Sequence, residues 1–132
     1  MPAVRRAEPG TGRVPAPVLA GRLALGTGVW LIAAPFLLDY STTGAGFRAY
    51  WNDVAVGLAV VTLLLPRVAV PVRTAGRLAG AAGVLGCWLA VSPFILGYAD
   101  DLPRAAVNDV VAGAAVAVLI ARSAAPRLVL RR

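Results

Sequence analysis

Four long apolar stretches constrain this chain more than any other feature of its sequence. They cover residues 19–38, 54–65, 78–96 and 105–121. An apolar helix of about 20 residues is long enough to cross the ~30 Å hydrocarbon core of a bilayer. The 132-residue chain is 59% hydrophobic and 14% charged, which is more apolar than a soluble domain of this size. We therefore predict an all-α fold, a four-helix transmembrane bundle.

Polar segments between the apolar stretches divide the chain into five parts. We predict a flexible N-terminal tail at 1–18, a two-helix repeat at 19–65, a basic loop at 66–77, a second two-helix repeat at 78–121 and a basic tail at 122–132. The second and fourth apolar stretches are shorter than the first and third, so we expect their helices to reach the bilayer edges through the interfacial residues Trp51, Asn52, Asn108 and Arg122. A cleaved signal peptide is disfavoured, because the first apolar stretch has a near copy in mid-chain.

The arginines predict how the chain is oriented. All 13 basic residues are arginine, and eleven of them lie in the N-terminal, central and C-terminal segments. Arg48 and Arg104 lie in the other two connections, where five of the six acidic residues are also found or lie close by. Cytoplasmic loops of membrane proteins carry the excess of Arg and Lys. We therefore predict a multi-pass protein of the cell membrane with both termini cytoplasmic.

The two halves of the chain are copies of one unit. Residues 28–40 align without gaps on 86–98, and residues 48–57 align on 104–113. The aligned pairs include Trp30 with Trp88, Ala34 with Ser92, Pro35 with Pro93, Phe36 with Phe94, Asn52 with Asn108, and Asp53 with Asp109. Each unit crosses the membrane twice, so the two repeats have the same orientation and are related by an axis along the membrane normal.

These residues resemble a known family. The pattern Trp-x-x-x-Ser/Ala-Pro-Phe, followed in the next helix by Asn-Asp-x-x-x-Gly, occurs twice and resembles the SPW repeat family of small prokaryotic integral membrane proteins. The resemblance covers about residues 19–121. Phe36 and Phe94 depart from it, since they stand where the family has a second Trp. The resemblance implies a membrane location and no established activity.

The repeated tryptophans, prolines and small residues have structural interpretations. Pro35 and Pro93 each lack a backbone donor, which predicts a kink or an end of the helix, with a broken-helix binding site as the alternative. We predict that Trp30 and Trp88 pack against the other repeat, or else line a ligand pocket. Small residues recur at helical spacing, among them Gly28, Gly57 and Gly113. They predict close helix packing, within the chain or between chains.

The Asn-Asp pairs are the candidate functional residues. Asn52, Asp53, Asn108 and Asp109 cap their helices in one interpretation, since Asn is a preferred N-cap and Asp stabilises a helix N-terminus. In the other, the two carboxylates face each other across the repeat axis and bind a cation or protons. Arg48 and Arg104 would oppose that second role if they paired with the carboxylates.

Few reactive groups are available for chemistry. The chain has no histidine, and its one cysteine, Cys87, lies in an apolar stretch and is predicted to be a buried apolar side chain. We therefore expect no catalytic residue, no metal and no cofactor, and predict a non-enzymatic structural or accessory component of a membrane assembly. The alternative is a small transport or channel subunit that uses Asp53 and Asp109. Expected partners are the lipid bilayer and a second copy or another membrane protein, rather than nucleic acid.

Overall fold

The computed structural model describes residues 12–40, 44–69 and 75–124, and most of both predicted tails lies outside these ranges. The described residues form four α-helices and no strand: α1 (Ala16–Leu37), α2 (Gly44–Ala69), α3 (Ala75–Ile95) and α4 (Pro103–Ala124). Each helix is long and apolar enough to cross a membrane. This confirms the predicted all-α bundle of four transmembrane helices.

The two repeats end their first helices in the same way. Pro35 in α1 and Pro93 in α3 each stand two residues before the last residue of the helix. The chain then turns through Asp39 and Gly97, which are aligned positions and both adopt a positive φ, of 53° and 69°. The backbone N–H of Tyr40 donates to Pro35 O at 3.1 Å, and that of Tyr98 donates to Pro93 O at 3.1 Å. The predicted effect of the prolines is therefore a helix end followed by one common turn.

The helices extend beyond the apolar stretches. α2 has 26 residues and α4 has 22, compared with 22 in α1 and 21 in α3. An apolar run marks the part of a helix that faces apolar surroundings, whereas the backbone stays helical through the polar turns on either side. α2 accordingly begins at Gly44 and continues past Pro66, and α3 already includes Arg77, so the described ends of the predicted 66–77 loop are helical.

Glycines bring the two helices of each repeat into close contact. A Cβ added to Gly57 of α2 would lie 2.8 Å from the carbonyl oxygen of Gly28 in α1. At the aligned contact, a Cβ added to Gly113 of α4 would lie 2.5 Å from the carbonyl oxygen of Gly86 in α3. Both distances are too short for any side chain. The small residues predicted to mediate packing therefore act within the chain, at equivalent places in both repeats.

The bundle is apolar both inside and outside. Leu31, Val60, Leu89 and Val116, one from each helix, are fully buried in a shared core. Large apolar side chains also cover the surface, and Phe36 and Phe94 are among the most exposed. Such a surface suits contact with lipid. Cys87 is also exposed, so the prediction that it is buried is wrong, because the apolarity of a stretch does not tell which side of a helix faces the core.

Candidate functional site

Polar side chains are buried between the repeats, near the end of the bundle where the α1–α2 and α3–α4 connections lie. Asp53 and Asp109 are 0% exposed, Ser92 and Tyr98 are fully buried, and Tyr40 is nearly so. We call these residues, together with Asn52, Asn108, Trp30 and Trp88, the polar cluster. Asp53 and Asp109 lie beyond the first turns of α2 and α4, which contain no acidic residue. The predicted capping role of the Asn-Asp pairs is therefore wrong.

The polar cluster begins with a reciprocal exchange between the repeats. Trp30 of the first repeat donates its indole N–H to Asn108 Oδ1 at 2.8 Å, and Trp88 of the second donates to Asn52 Oδ1 at 3.2 Å. The tryptophans are 42% and 39% exposed, so their rings lie at the surface of the bundle while their N–H groups point inward. In an apolar environment the N–H needs an acceptor, and the other repeat supplies it. This agrees with the predicted packing of Trp30 and Trp88 against the other repeat.

The asparagine amides extend the exchange to the carboxylates. Asn108 Nδ2 lies 3.5 Å from Asp53 Oδ2 and 3.3 Å from Asp109 Oδ1, so one amide group bridges acidic residues of both repeats. Asn52 Nδ2 donates to Ser92 Oγ at 2.9 Å and to Tyr98 Oη at 3.2 Å. The structure thus brings Asn52, Asp53, Asn108 and Asp109 together where the two repeats meet, and cation or proton binding by the carboxyl groups stays a prediction.

Ser92 repairs the backbone that Pro93 leaves incomplete. Pro93 has no N–H to donate to the carbonyl of Leu89 one turn earlier, and Ser92 Oγ donates to that carbonyl at 2.9 Å. The same hydroxyl accepts a hydrogen bond from Asn52. Ser92 therefore joins the end of α3 to α2. The aligned residue of the first repeat is Ala34, which has no hydroxyl to give to Leu31.

The two tyrosines make the cluster asymmetric. Tyr98 donates its hydroxyl to Asp109 Oδ2 at 2.5 Å, whereas the aligned Tyr40 hydroxyl makes no hydrogen bond within residues 12–40, 44–69 and 75–124. Asp53 Oδ1 is also buried without a hydrogen-bond partner in the same ranges. Burial raises the pKa of the Tyr98 hydroxyl, and its hydrogen bond to Asp109 raises that pKa further. Burial and the nearby carboxyl groups likewise raise the pKa of Tyr40, so both phenols stay protonated near neutral pH.

Neither arginine near the Asn-Asp pairs neutralises a carboxylate in the described part of the chain. Arg48 donates from Nη2 to the carbonyl oxygen of Gly97 at 3.2 Å, and Arg104 is exposed. The polar partners of Asp53 and Asp109 are thus amide and hydroxyl groups. The acidic pair also stands without further metal ligands, since no group of three His, Cys, Asp or Glu side chains occurs among the residues that the structure describes.

The remaining motif residues lie at the edge of the site. Pro35 and Pro93 are buried, while Phe36 and Phe94 point outward. Phe36 packs edge-on against Tyr50, with 5.5 Å between the ring centroids. Tyr40 and Tyr98 were not among the candidate residues predicted from the sequence. Their place at the end of the aligned segments, after a Pro-Phe pair in both repeats, was the available signal.

Comparison with known proteins identifies the family. The family model of the SPW repeat domain matches residues 19–123, which include all of the polar cluster. No curated protein and no solved structure matches this sequence. The match covers both repeats, and the described helices have the length and apolarity that membrane crossing requires. The chain therefore belongs to the SPW repeat family and is a multi-pass integral membrane protein.

Proposed function

We propose that this protein is a non-enzymatic structural or accessory component of a membrane assembly. The observation that supports this is the burial of the carboxyl and hydroxyl groups of the polar cluster. Asp53, Asp109, Ser92 and Tyr98 have no exposed surface, and hydrogen bonds from Asn52 and Asn108 tie Ser92, Tyr98 and Asp53 to the opposite repeat. Groups used in this way stabilise one arrangement of the helices and offer no reactive atom to a substrate.

The proposed location is the cell membrane, with both termini on the cytoplasmic side. Arg22, Arg67, Arg77 and Arg122 lie at the end of the bundle that carries the termini. Arg48 and Arg104 lie at the opposite end, next to the α1–α2 and α3–α4 turns. An excess of arginine marks the cytoplasmic side. Reporter fusions to the C-terminus and to the α1–α2 connection test this orientation, because it requires the first to report cytoplasm and the second the opposite side.

The partner is proposed to be a second copy of the chain or another membrane protein, and no nucleic acid. Cys87 provides the test, since it is the single cysteine and lies exposed on α3. A benzophenone photocrosslinker attached to Cys87 in native membranes should give one discrete protein adduct. Val29 is the aligned position on α1 and is also exposed, so Cys87→Ser with Val29→Cys probes the equivalent surface of the first repeat.

The crosslinking outcomes separate the possibilities. A dimer-sized adduct identifies a homo-oligomer, and an adduct of another mass identifies a partner protein. Cys87→Ser alone gives the background. Lipid adducts alone from both positions, together with a monomeric mass after mild solubilisation, would contradict the proposed role as a component of an assembly.

A second function has one specific observation in its favour. Asp53 Oδ1 and the Tyr40 hydroxyl are both buried without hydrogen-bond partners in the described ranges. Ionisable side chains inside a membrane bundle commonly mark ion or proton paths. Transport would require water to reach Asp53 and Asp109. Single cysteines at positions 53 and 109, in a Cys87→Ser background, should stay unlabelled by a water-soluble thiol reagent if the first proposal holds, whereas rapid labelling would favour transport.

A further inference from the structure

A groove on the outside of the bundle runs along the boundary between α1 and α4. Its volume is about 570 Å³, and its walls include Arg22, Gly26 and Trp30 from α1 and Val107, Val111 and Ala115 from α4. Arg22 lies toward the helix ends that carry the termini, and Trp30, a member of the polar cluster, lies toward the opposite end. At 1.5 Å per residue these two side chains are about 12 Å apart along the helix. The groove is therefore long and mostly apolar, with the charged Arg22 side chain near one end.

The groove is a place where the repeats differ. Gly26 of α1 aligns with Val84 of α3, and Val107 of α4 aligns with Trp51 of α2. The equivalent boundary between α3 and α2 therefore carries larger side chains at both positions. A Cβ added to Gly26 would have no heavy atom within 4 Å. Arg22 aligns with Gly80, so the cation is also particular to the α1–α4 side. The same side of the bundle thus has both the open space and the charge.

Two arginines near the groove have no acidic partner among the residues that the structure describes. Arg22 and Arg122 are exposed, and neither forms an ion pair with any residue in the ranges 12–40, 44–69 and 75–124. Arg122 lines a second cavity of about 340 Å³ between α1 and α4, which shares Leu23 with the groove. Two guanidinium groups with no acidic partner in these ranges thus lie along the same apolar boundary between α1 and α4. In a bilayer a guanidinium near a helix end extends toward the head-group region, where its available anions are lipid phosphates.

We propose that the α1–α4 groove binds an anionic phospholipid. An acyl chain lies between Gly26 and Val111, and the head group lies against Arg22 with Arg122 beside it. The guanidinium fork suits phosphate oxygens, and basic pockets between transmembrane helices are known to hold anionic head groups. The apolar walls and the two guanidinium groups match the two parts of this ligand. The proposal is independent of the assembly role, since a lipid can occupy the groove whatever the protein's partner.

Native mass spectrometry of the detergent-purified full chain tests the site. Dioleoyl phosphatidylglycerol and dioleoyl phosphatidylcholine have the same acyl chains and differ in the charge of the head group. We expect the anionic lipid to bind at least about fivefold more tightly. Arg22→Gln should remove most of that preference. Arg104→Gln is the matched control, because Arg104 lies at the opposite end in a cavity shared with Asp39 and Asp101, and it should leave the preference intact.

A second variant tests the acyl-chain half of the site. Gly26→Leu places an apolar side chain in the groove, and its Cβ would have no protein atom within 4 Å. It should therefore weaken binding of both lipids while the helices remain folded by circular dichroism. Gly80→Leu on α3 also projects into open space, lies outside the groove and should have no effect on binding. Equal binding of the two lipids to the unmodified chain, or unchanged binding after Gly26→Leu, would overturn the proposal.

Discussion

The indole N–H of Trp30 in the first repeat donates a hydrogen bond to Asn108 Oδ1 in the second repeat, at 2.8 Å. The aligned pair, Trp88 and Asn52, makes the same bond in the opposite direction. These two reciprocal hydrogen bonds can both form in only one relative placement of the repeats. The Trp-Asn exchange therefore fixes how the two hairpins meet, and it sets the positions of the carboxylates behind it.

Replacing Trp30 by Phe tests the exchange. The variant keeps an aromatic ring at the surface but leaves Asn108 without its donor, so the bundle should lose about 0.5–2 kcal/mol of stability. Reversible unfolding in mixed micelles, followed by circular dichroism, measures the loss. Trp51→Phe is the matched control, because Trp51 is exposed and its ring packs on Phe47 and Tyr50. Equal losses from the two variants would show that the hydrogen bond contributes nothing.

The tyrosines provide a second pair of matched variants. Tyr98→Phe removes the donor to the buried Asp109 carboxylate, which should cost about 1–3 kcal/mol. Tyr40→Phe removes a hydroxyl that makes no hydrogen bond in the described ranges, so its effect should stay within about 0.5 kcal/mol. The same unfolding measurement decides between them. A larger cost for Tyr40→Phe would mean that its hydroxyl has a polar partner, such as the neighbouring Asp53 carboxyl group, a cation or a water.

Ser92→Ala tests whether the hydroxyl compensates for Pro93. The change leaves the carbonyl of Leu89 without a donor and removes an acceptor for Asn52, so stability should fall by about 1–2 kcal/mol. Ser123→Ala is the control. Ser123 also donates to a carbonyl three residues earlier, that of Ile120, but no proline interrupts α4 there. Its removal should therefore cost less, and an equal cost would argue against the compensation.

Gly113→Ala tests the helix contact in the second repeat. The added methyl group would lie 2.5 Å from the Gly86 carbonyl oxygen and 2.6 Å from Ala90 N, so the helices must separate at a cost of about 1–3 kcal/mol. Gly80→Ala serves as control, since its Cβ meets open space, and better helix propensity should stabilise α3 by up to about 1 kcal/mol. Opposite signs in thermal unfolding are the expected result. Equal effects of the two substitutions would mean that α3 and α4 have room for a methyl group at Gly113 and are packed less closely than the structure shows.

Much of the fold was predictable from consecutive residues. Membrane crossing depends on the apolarity of a stretch, and the helix ends after Pro35 and Pro93 follow from a missing backbone donor. The repeat predicted two equivalent hairpins, and the shared turn through Asp39 and Gly97 agrees with that prediction. These properties belong to a few neighbouring residues or to the comparison of two segments, so they need no knowledge of how the helices pack.

The content of the site was predictable in part. The alignment identified Trp30, Asn52, Asp53 and their counterparts as candidate residues. One interpretation placed the Asn-Asp pairs at helix starts, however, and Tyr40 and Tyr98 were not singled out. The error followed from helix length. A helix start inferred from the edge of an apolar run placed Asp53 in a first turn, whereas α2 begins well before it.

By itself, the sequence determined that this protein is a membrane bundle of two repeated hairpins and which polar residues it contains. Tertiary structure alone decided which of them meet: Trp30 with Asn108, Tyr98 with Asp109, and Arg22 with an open groove. The physical reason is the rotation of each helix about its own axis. That rotation is set by close contacts between distant residues, such as Gly28 with Gly57 and Gly86 with Gly113, and no local pattern records it.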